Sequence, residues 1–308
     1  MVIEDLLEGL KQKHIQSISK LISLVENNNQ ERQEILDSIF PYTNNSFRIG
    51  ITGPPGAGKS TITNLLIEKF RQHDFSVGVI LVDPSSPYTG GALLGDRIRM
   101  DKYYTDKDVF IRSLATRGSK GGLSDEAESV ADILDAAGFD IIIFETVGVG
   151  QIEIDVVEQV DSVILILVPE SGDDIQMMKA GVIEIADIFL INKSDRKGSD
   201  YLYASLENFL NLSSLEKDIK SKIIKTVGTK GIGINQIFKQ LLERREISLK
   251  KETINTKHKS KYIKRINDLI IAKAKNKFWT EKNINIVKRE SQNKKKIPLS
   301  KLFKKLSI

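Results

Sequence analysis

The sequence contains no cysteine. That excludes a disulfide framework and any thiolate metal centre, and it suits a reducing compartment such as the cytoplasm. Histidine is nearly as scarce: His14, His73 and His258 stand far apart, so no run of imidazoles offers a transition-metal site. Long apolar runs are absent too. The longest, Val163–Val168, falls far short of a bilayer span, so no membrane insertion is expected. The first residues, Met1 to Leu10, carry acids where a secretory leader has bases.

Net charge is small at +5, yet unevenly placed. Residues 241–308 hold 21 Lys/Arg against 6 Asp/Glu, a net of +15, which leaves residues 1–240 at −10. A basic tail of this kind is either a solvated helical face or an attraction for nucleic acid, anionic membrane or an acidic protein. Its few aromatics, Tyr262, Phe278, Trp279 and Phe303, are not interleaved as a base-stacking platform, so nucleic acid is not the expected partner.

What is present is a regular alternation. Leu6, Leu10, Ile18, Leu21, Ile22 and Val25 recur at helical spacing up to Asn27, and a second short helix is expected from Glu31 to Phe40. Together they make an N-terminal helical unit over residues 1–45. From Phe47 short β-branched runs alternate with amphipathic segments. Strands are expected at Phe47–Thr52, Val77–Val82, Val109–Leu114, Asp140–Thr146, Ser162–Val168, Ile188–Asn192 and Ile223–Val227. Helices are expected at Lys59–His73, Asp125–Ala137, Ile175–Ile185, Tyr201–Leu210 and Asn235–Glu246. The pattern predicts an α/β domain over residues 46–246, a mostly parallel sheet flanked by helices. Residues 247–308 read as a basic helical extension. In it, Tyr262, Ile266, Leu269 and Ile270 share one helix face, a linker spans Ser291–Lys296, and a last helix runs from Pro298 to Leu306.

Two motifs carry chemistry. Gly53-Pro54-Pro55-Gly56-Ala57-Gly58-Lys59-Ser60 fits G-x-x-x-x-G-K-[ST] between an expected strand and an expected helix. Glycines there let backbone N–H groups approach phosphate oxygens, and the helix N-terminus adds partial positive charge. Lys59 is expected at the β- and γ-phosphates, Ser60 on Mg²⁺ and Thr61 near the α-phosphate. Later, Asn192-Lys193-Ser194-Asp195 closes a strand and fits N-K-x-D. A carboxylate can accept both N1–H and N2–H₂ of guanine, whereas adenine leaves it unpaired, so the expected nucleotide is GTP or GDP rather than ATP. Asp83 and Glu145 close two further strands on the crevice side, where Mg²⁺ commonly takes one or two carboxylates.

Three longer segments are distinctive: Asp83–Met100 with its Pro-Ser-Ser-Pro-Tyr-Thr-Gly-Gly run, Arg117-Gly-Ser-Lys-Gly-Gly-Leu-Ser124, and Glu145-Thr-Val-Gly148-Val-Gly-Gln151. They resemble the methylmalonyl-CoA mutase-associated GTPase family, whose members also carry an older name as arginine/ornithine transport-system kinases. The resemblance is close over roughly residues 45–240 and loose at the ends. It implies a P-loop GTPase with Glu145 in the third motif where most GTPases have Asp. It also implies catalytic roles for Lys59, Asp96, Glu145 and Gln151, a nucleotide contact at Gly148, and acidic switch or metal positions at Asp83 and Asp96. The segment Glu170–Lys179 matches the stretch that contacts the mutase. The implied function is escort of an adenosylcobalamin-dependent acyl-CoA mutase, gating cofactor loading and reactivating the enzyme, by a homodimer joined through C-terminal helices. Two departures stand out. Thr226-Val227-Gly228 occupies the fifth motif, which in the family reads near Ser-Ala, and the C-terminal region diverges. Two alternatives remain: a metallochaperone GTPase of the same wider class, or a nucleotide-dependent kinase linked to amino-acid transport.

Overall fold

The computed structural model describes residues 3–27, 31–83, 102–103, 105–115, 122–146, 159–169, 183, 186–212, 222–293 and 297–306. The chain forms two compact units, Met1–Leu249 and Lys250–Ile308.

The first unit is built on a seven-stranded sheet of β1 (Phe47–Thr52), β2 (Val77–Asp83), β3 (Val109–Ala115), β4 (Ile141–Thr146), β5 (Ser162–Leu167), β6 (Ile188–Ile191) and β7 (Lys222–Lys225). Their order is β3-β2-β4-β1-β5-β6-β7, and every pairing is parallel. This is the expected α/β class, and the strand bounds agree with the expected ones to within about two residues. Strands β1, β4, β5 and β6 are buried throughout, as strands between two helical layers must be.

One face of the sheet carries α4 (Lys59–Arg71) and α7 (Ile234–Ser248). Ile49, Ile51, Ile62, Leu66, Phe70, Ile141, Ile143, Ile237 and Phe238 form its core. The other face carries α1 (Ile3–Lys11), α2 (Ile15–Glu26), α3 (Arg32–Ile39) and α5 (Gly122–Ala136), packed through Leu10, Ile18, Ile22, Val130, Leu134, Ile142 and Phe144. A third cluster joins β5 and β6 to α6 (Ser199–Leu212) through Leu165, Phe189 and Leu206. Of the helix expected at Ile175–Ile185, only Ile183 lies among the described residues.

The N-terminal apolar pattern is broken where one continuous helix was expected. Lys13 adopts φ +54°, and the amides of Gln12 and His14 donate to the carbonyl oxygen of Gly9. α2 then folds back on α1. A Cβ on Gly9 would lie 2.2 Å from Ser17 Oγ, so this crossing requires glycine.

Aspartates anchor the strand starts. Asp161 accepts from the amide of Arg48 (2.8 Å), Asp140 from Ser76 (2.8 Å) and Asp187 from Val163 (2.9 Å). Asp135 on α5 accepts from three successive amides, Asn44, Asn45 and Ser46. Its Oδ2 also takes a hydrogen bond from the buried Arg48 guanidinium (3.1 Å), which pairs with Asp132 at 2.8 Å. A cation inside a central strand is tolerable only because both carboxylates meet it.

The second unit consists of α8 (Lys251–Phe278), α9 (Glu281–Gln292) and α10 (Leu299–Lys305). Thr280 caps α9 by accepting from the amide of Asn283, and Asn283 Nδ2 donates to the carbonyl of Phe278 at 2.6 Å. α9 extends to Gln292, into the stretch expected to be a linker, and residues 294–296 lie outside the described residues.

Candidate nucleotide site

β1 is the central strand, flanked by β4 and β5, so whatever follows Thr52 leaves the sheet at its middle. The turn that follows needs glycine at three places. Gly53 has φ +146°, and a Cβ there would lie 2.3 Å from the carbonyl oxygen of Ile166 on β5. Gly56 has φ +74°. Gly58 has φ +93° and precedes the first turn of α4; a Cβ would meet Asn192 Nδ2 at 2.4 Å. Pro54 is buried and accepts from the amide of Ala57 at 3.1 Å, while Pro55 is exposed. The loop thus closes tightly and delivers the chain into the N-terminus of α4, an arrangement suited to phosphate.

Lys59 is buried, and its Nζ donates to the carbonyls of Gly53 (2.8 Å) and Pro54 (3.1 Å). These bonds bend the side chain back over its own loop and hold the ammonium there. Ser60, one residue on, donates its hydroxyl to Glu145 Oε1 at 2.6 Å. Glu145 is buried and stands on β4 in register with Ile51 of β1 and Leu81 of β2. Asp83 closes β2 opposite Ala115 of β3. The strand order therefore brings Ser60 and Glu145 together from positions 85 residues apart.

Asn192 is almost fully buried and tied at both ends of its amide. Nδ2 donates to the carbonyl of Ala57 (2.7 Å), while Oδ1 accepts from the amide of Gly228 (3.1 Å) and from Thr226 Oγ1 (3.2 Å). The amide of Ser194 donates to the carbonyl of Thr226 (3.0 Å). Asn192 thus fastens the loop after β1 to the turn after β7. Lys193 takes φ +54°, which turns the chain so that Asp195 is half-exposed, its Oδ2 3.8 Å from Lys230 Nζ. Gly228 packs against α4, where a Cβ would lie 3.2 Å from Thr61 Cγ2. Asp96, Gly148 and Gln151 lie outside the described residues. Sequence reading missed the parts played by Thr226 and Gly228. Their only sequence signal was the position of Thr226-Val227-Gly228 in place of the fifth motif.

The family model described as Methylmalonyl Co-A mutase-associated GTPase MeaB matches residues 18–283. A protein of Pyrococcus horikoshii named as a GTPase is 50% identical over 247 residues, covering 79% of this chain and 78% of its own. GTPase ArgK of Escherichia coli is 41% identical over 190 residues, 60% of this chain and 57% of its own. The mitochondrial methylmalonic aciduria type A homolog of Mus musculus is 35% identical over 235 residues, 73% of this chain and 56% of its own. Among solved structures, an LAO/AO transport system kinase superposes with a TM-score of 0.71 at 24% identity, over 94% of this chain and 90% of that one, a likeness of fold.

Proposed function

Since the chain belongs to the MeaB family of methylmalonyl-CoA mutase-associated GTPases, we propose that it is a GTP-driven chaperone that binds Mg²⁺ with its nucleotide and escorts an adenosylcobalamin-dependent acyl-CoA mutase. In this reading it gates loading of the mutase cofactor and protects or reactivates the enzyme. Guanine-nucleotide binding comes with the family. The mutase client rests on the family description and on the murine relative's name.

The observation that carries the nucleotide chemistry is the 2.6 Å bond from Ser60 to Glu145. A hydroxyl and a carboxylate so placed beside a phosphate loop are hard oxygen donors. They suit Mg²⁺, which takes one or two protein oxygens and completes its shell with water and phosphate. We assign Ser60 and Glu145, with Asp83, to hold it. The chemistry such a cation supplies when bound is neutralisation of phosphate charge. Gly53, Pro54, Pro55, Gly56, Ala57 and Gly58 shape the cradle, and Lys59 lies close enough to exchange its carbonyl partners for β- and γ-phosphate oxygens. Thr61, in the first turn of α4, faces the α-phosphate.

Asp195 reads the guanine N1–H and N2–H₂, with Lys193 beside the ring. Asn192 acts as a strut: it fixes the base-reading loop at one distance from the phosphate cradle, so that only a nucleotide of the right length engages both. Asp96, Gly148 and Gln151 take the switch and water-facing roles implied by the resemblance. Dimerisation falls to α8, where Tyr262, Ile266, Leu269 and Ile270 are exposed along one face, and the working compartment is the cytoplasm. The test is twofold. GTP should outcompete ATP for the site, and a cognate mutase should alter the GTP hydrolysis rate; a protein that prefers ATP, or whose turnover no such mutase affects, would refute the reading.

A further inference from the structure

We propose that Lys230 is a positioning residue for guanine recognition: it holds the Asp195 carboxylate towards the base edge and compensates its charge as the purine covers it. The inference rests on the reading of Asp195 as the group that meets guanine. Lys230 Nζ stands 3.8 Å from Asp195 Oδ2, the two side chains being 63% and 47% exposed. Among the described residues no hydrogen bond is made to this carboxylate. The separation has a chemical consequence. An ammonium at 3.8 Å attracts the carboxylate yet lies outside hydrogen-bond range, so both oxygens stay open to N1–H and N2–H₂. A lysine at about 2.8 Å would already occupy one of them.

The main chain fixes the two loops against each other. The amide of Ser194 donates to the carbonyl of Thr226, and the amide of Gly228 donates to Asn192 Oδ1. Lys230 ends the single turn Gly228–Lys230, which is closed by its own amide on the carbonyl of Val227 at 2.9 Å. Val227 and Ile232 then bridge the turn with two further bonds, and Gly231 reverses the chain at φ +66°. The ammonium is thus carried on a rigid turn beside Asp195. Its neighbours do not compete for the task. Val227 is aliphatic, and Lys225 on β7 is committed to Asp200 and to the ring of Tyr203. When a purine covers the pair, water leaves and the attraction between the two charges grows. Without the lysine, the base would cover an uncompensated carboxylate. Lys230 therefore contributes most when nucleotide is bound, and most for a base that uses both carboxylate oxygens.

The test compares guanosine diphosphate with inosine diphosphate, which keeps N1–H and lacks the 2-amino group. Equilibrium competition binding is measured on the full-length protein at low ionic strength. Lys230→Met should weaken guanosine diphosphate binding roughly two- to five-fold, with a smaller loss for inosine diphosphate. High salt should bring the unmodified protein to the level of the variant, and Lys230→Arg should restore most of the affinity. In an Asp195→Asn background Lys230→Met should have no effect, since the interaction it removes is already gone. The Lys230 side chain is exposed and its turn is held by main-chain bonds, so thermal stability should not move. An equal loss for both nucleotides would mean that the lysine acts on the phosphates, which overturns the proposal. It is also overturned if Lys230→Met changes nothing while Asp195→Asn abolishes the preference for guanosine over inosine diphosphate, because Asp195 then reads the base unaided. If Asp195→Asn leaves that preference intact, the assignment of Asp195 fails and the inference falls with it.

Discussion

Two carboxylates and one amide divide the candidate nucleotide site between them, and each gives a distinct prediction. Glu145 accepts from the hydroxyl of Ser60, so Glu145→Gln should lower Mg²⁺-dependent hydrolysis steeply while leaving GDP affinity nearly unchanged. Normal turnover in single-turnover assays would remove Glu145 from the metal site. Among the described residues Asp195 makes a long ion pair to Lys230, and its proposed work is on the base. Asp195→Asn should shift preference from GTP towards xanthosine triphosphate, measured by competition; unchanged discrimination would show that another group reads the base. Asn192→Ala should act differently. It leaves the carbonyl of Ala57 and the amide of Gly228 without their buried partner, costing about 1–3 kcal/mol. Both affinity and thermal stability should fall, with base preference kept. At this scale much of the candidate site was legible in the sequence, because the glycines, Lys59 and Ser60 lie within one eight-residue motif. The strut was not legible, because Asn192 meets Ala57 from 135 residues away and a spacing rule cannot show which ends of an amide are used.

At the scale of elements, the sheet depends on what enters it. β1 carries the phosphate loop, and its start is fixed by Asp135, which holds three amides and the Arg48 guanidinium at once. Asp135→Ala strips those amides and half-abandons a buried cation, so it should destabilise the fold by about 3–5 kcal/mol, read by chemical denaturation. Arg48→Met should cost more when Asp132 is kept than when Asp132→Leu is made with it, since part of the loss is a buried carboxylate stripped of its cation. α4 has a milder anchor at its other end. Arg71 is hydrogen-bonded to Asp106 at 2.9 Å, and that bond holds the Asp106 carboxyl below its ordinary value. A carboxyl depressed on folding adds stability above its unfolded titration range and loses it as pH falls through the folded value. Asp106→Asn should therefore cost stability at neutral pH and almost nothing in acid. The strands were readable from their β-branched runs because burial on both faces favours apolar side chains. The break between α1 and α2 was hidden because Leu6, Leu10, Ile18 and Leu21 keep a helical rhythm across it; Lys13 at φ +54° has no sequence signature of the kind glycine provides.

At the scale of the whole molecule, binding and turnover separate. The loop after β1, Asn192 and the Ser60–Glu145 pair belong to strands and helices of one compact unit, so in the proposed function this unit binds the nucleotide by itself. Catalysis asks for more, because phosphoryl transfer is accelerated mainly by charges and a water held in place beforehand. GTPases of the Ras type place a Gln directly after the third-motif glycine to orient that water. In this sequence Val149 follows Gly148, and its aliphatic side chain neither donates nor accepts; Gln151 comes two residues later. Arg117 and Lys120, which follow β3 in the sequence, stand in a segment with glycines at 118, 121 and 122, a composition that does not preorganise a finger by itself. The isolated protein should accordingly hydrolyse GTP slowly, and a bound mutase that fixes such a charge should raise the rate by roughly 10³ to 10⁵. Single-turnover hydrolysis with and without mutase, for the unmodified protein, Gln151→Ala and Arg117→Ala, separates the contributions. Arg117→Ala should erase the stimulation and spare the basal rate if the partner orders that cation. Hydrolysis by the protein alone above about 1 per second, in the range of GAP-assisted GTPases, would mean that the free site is already complete and that the mutase is not what completes it.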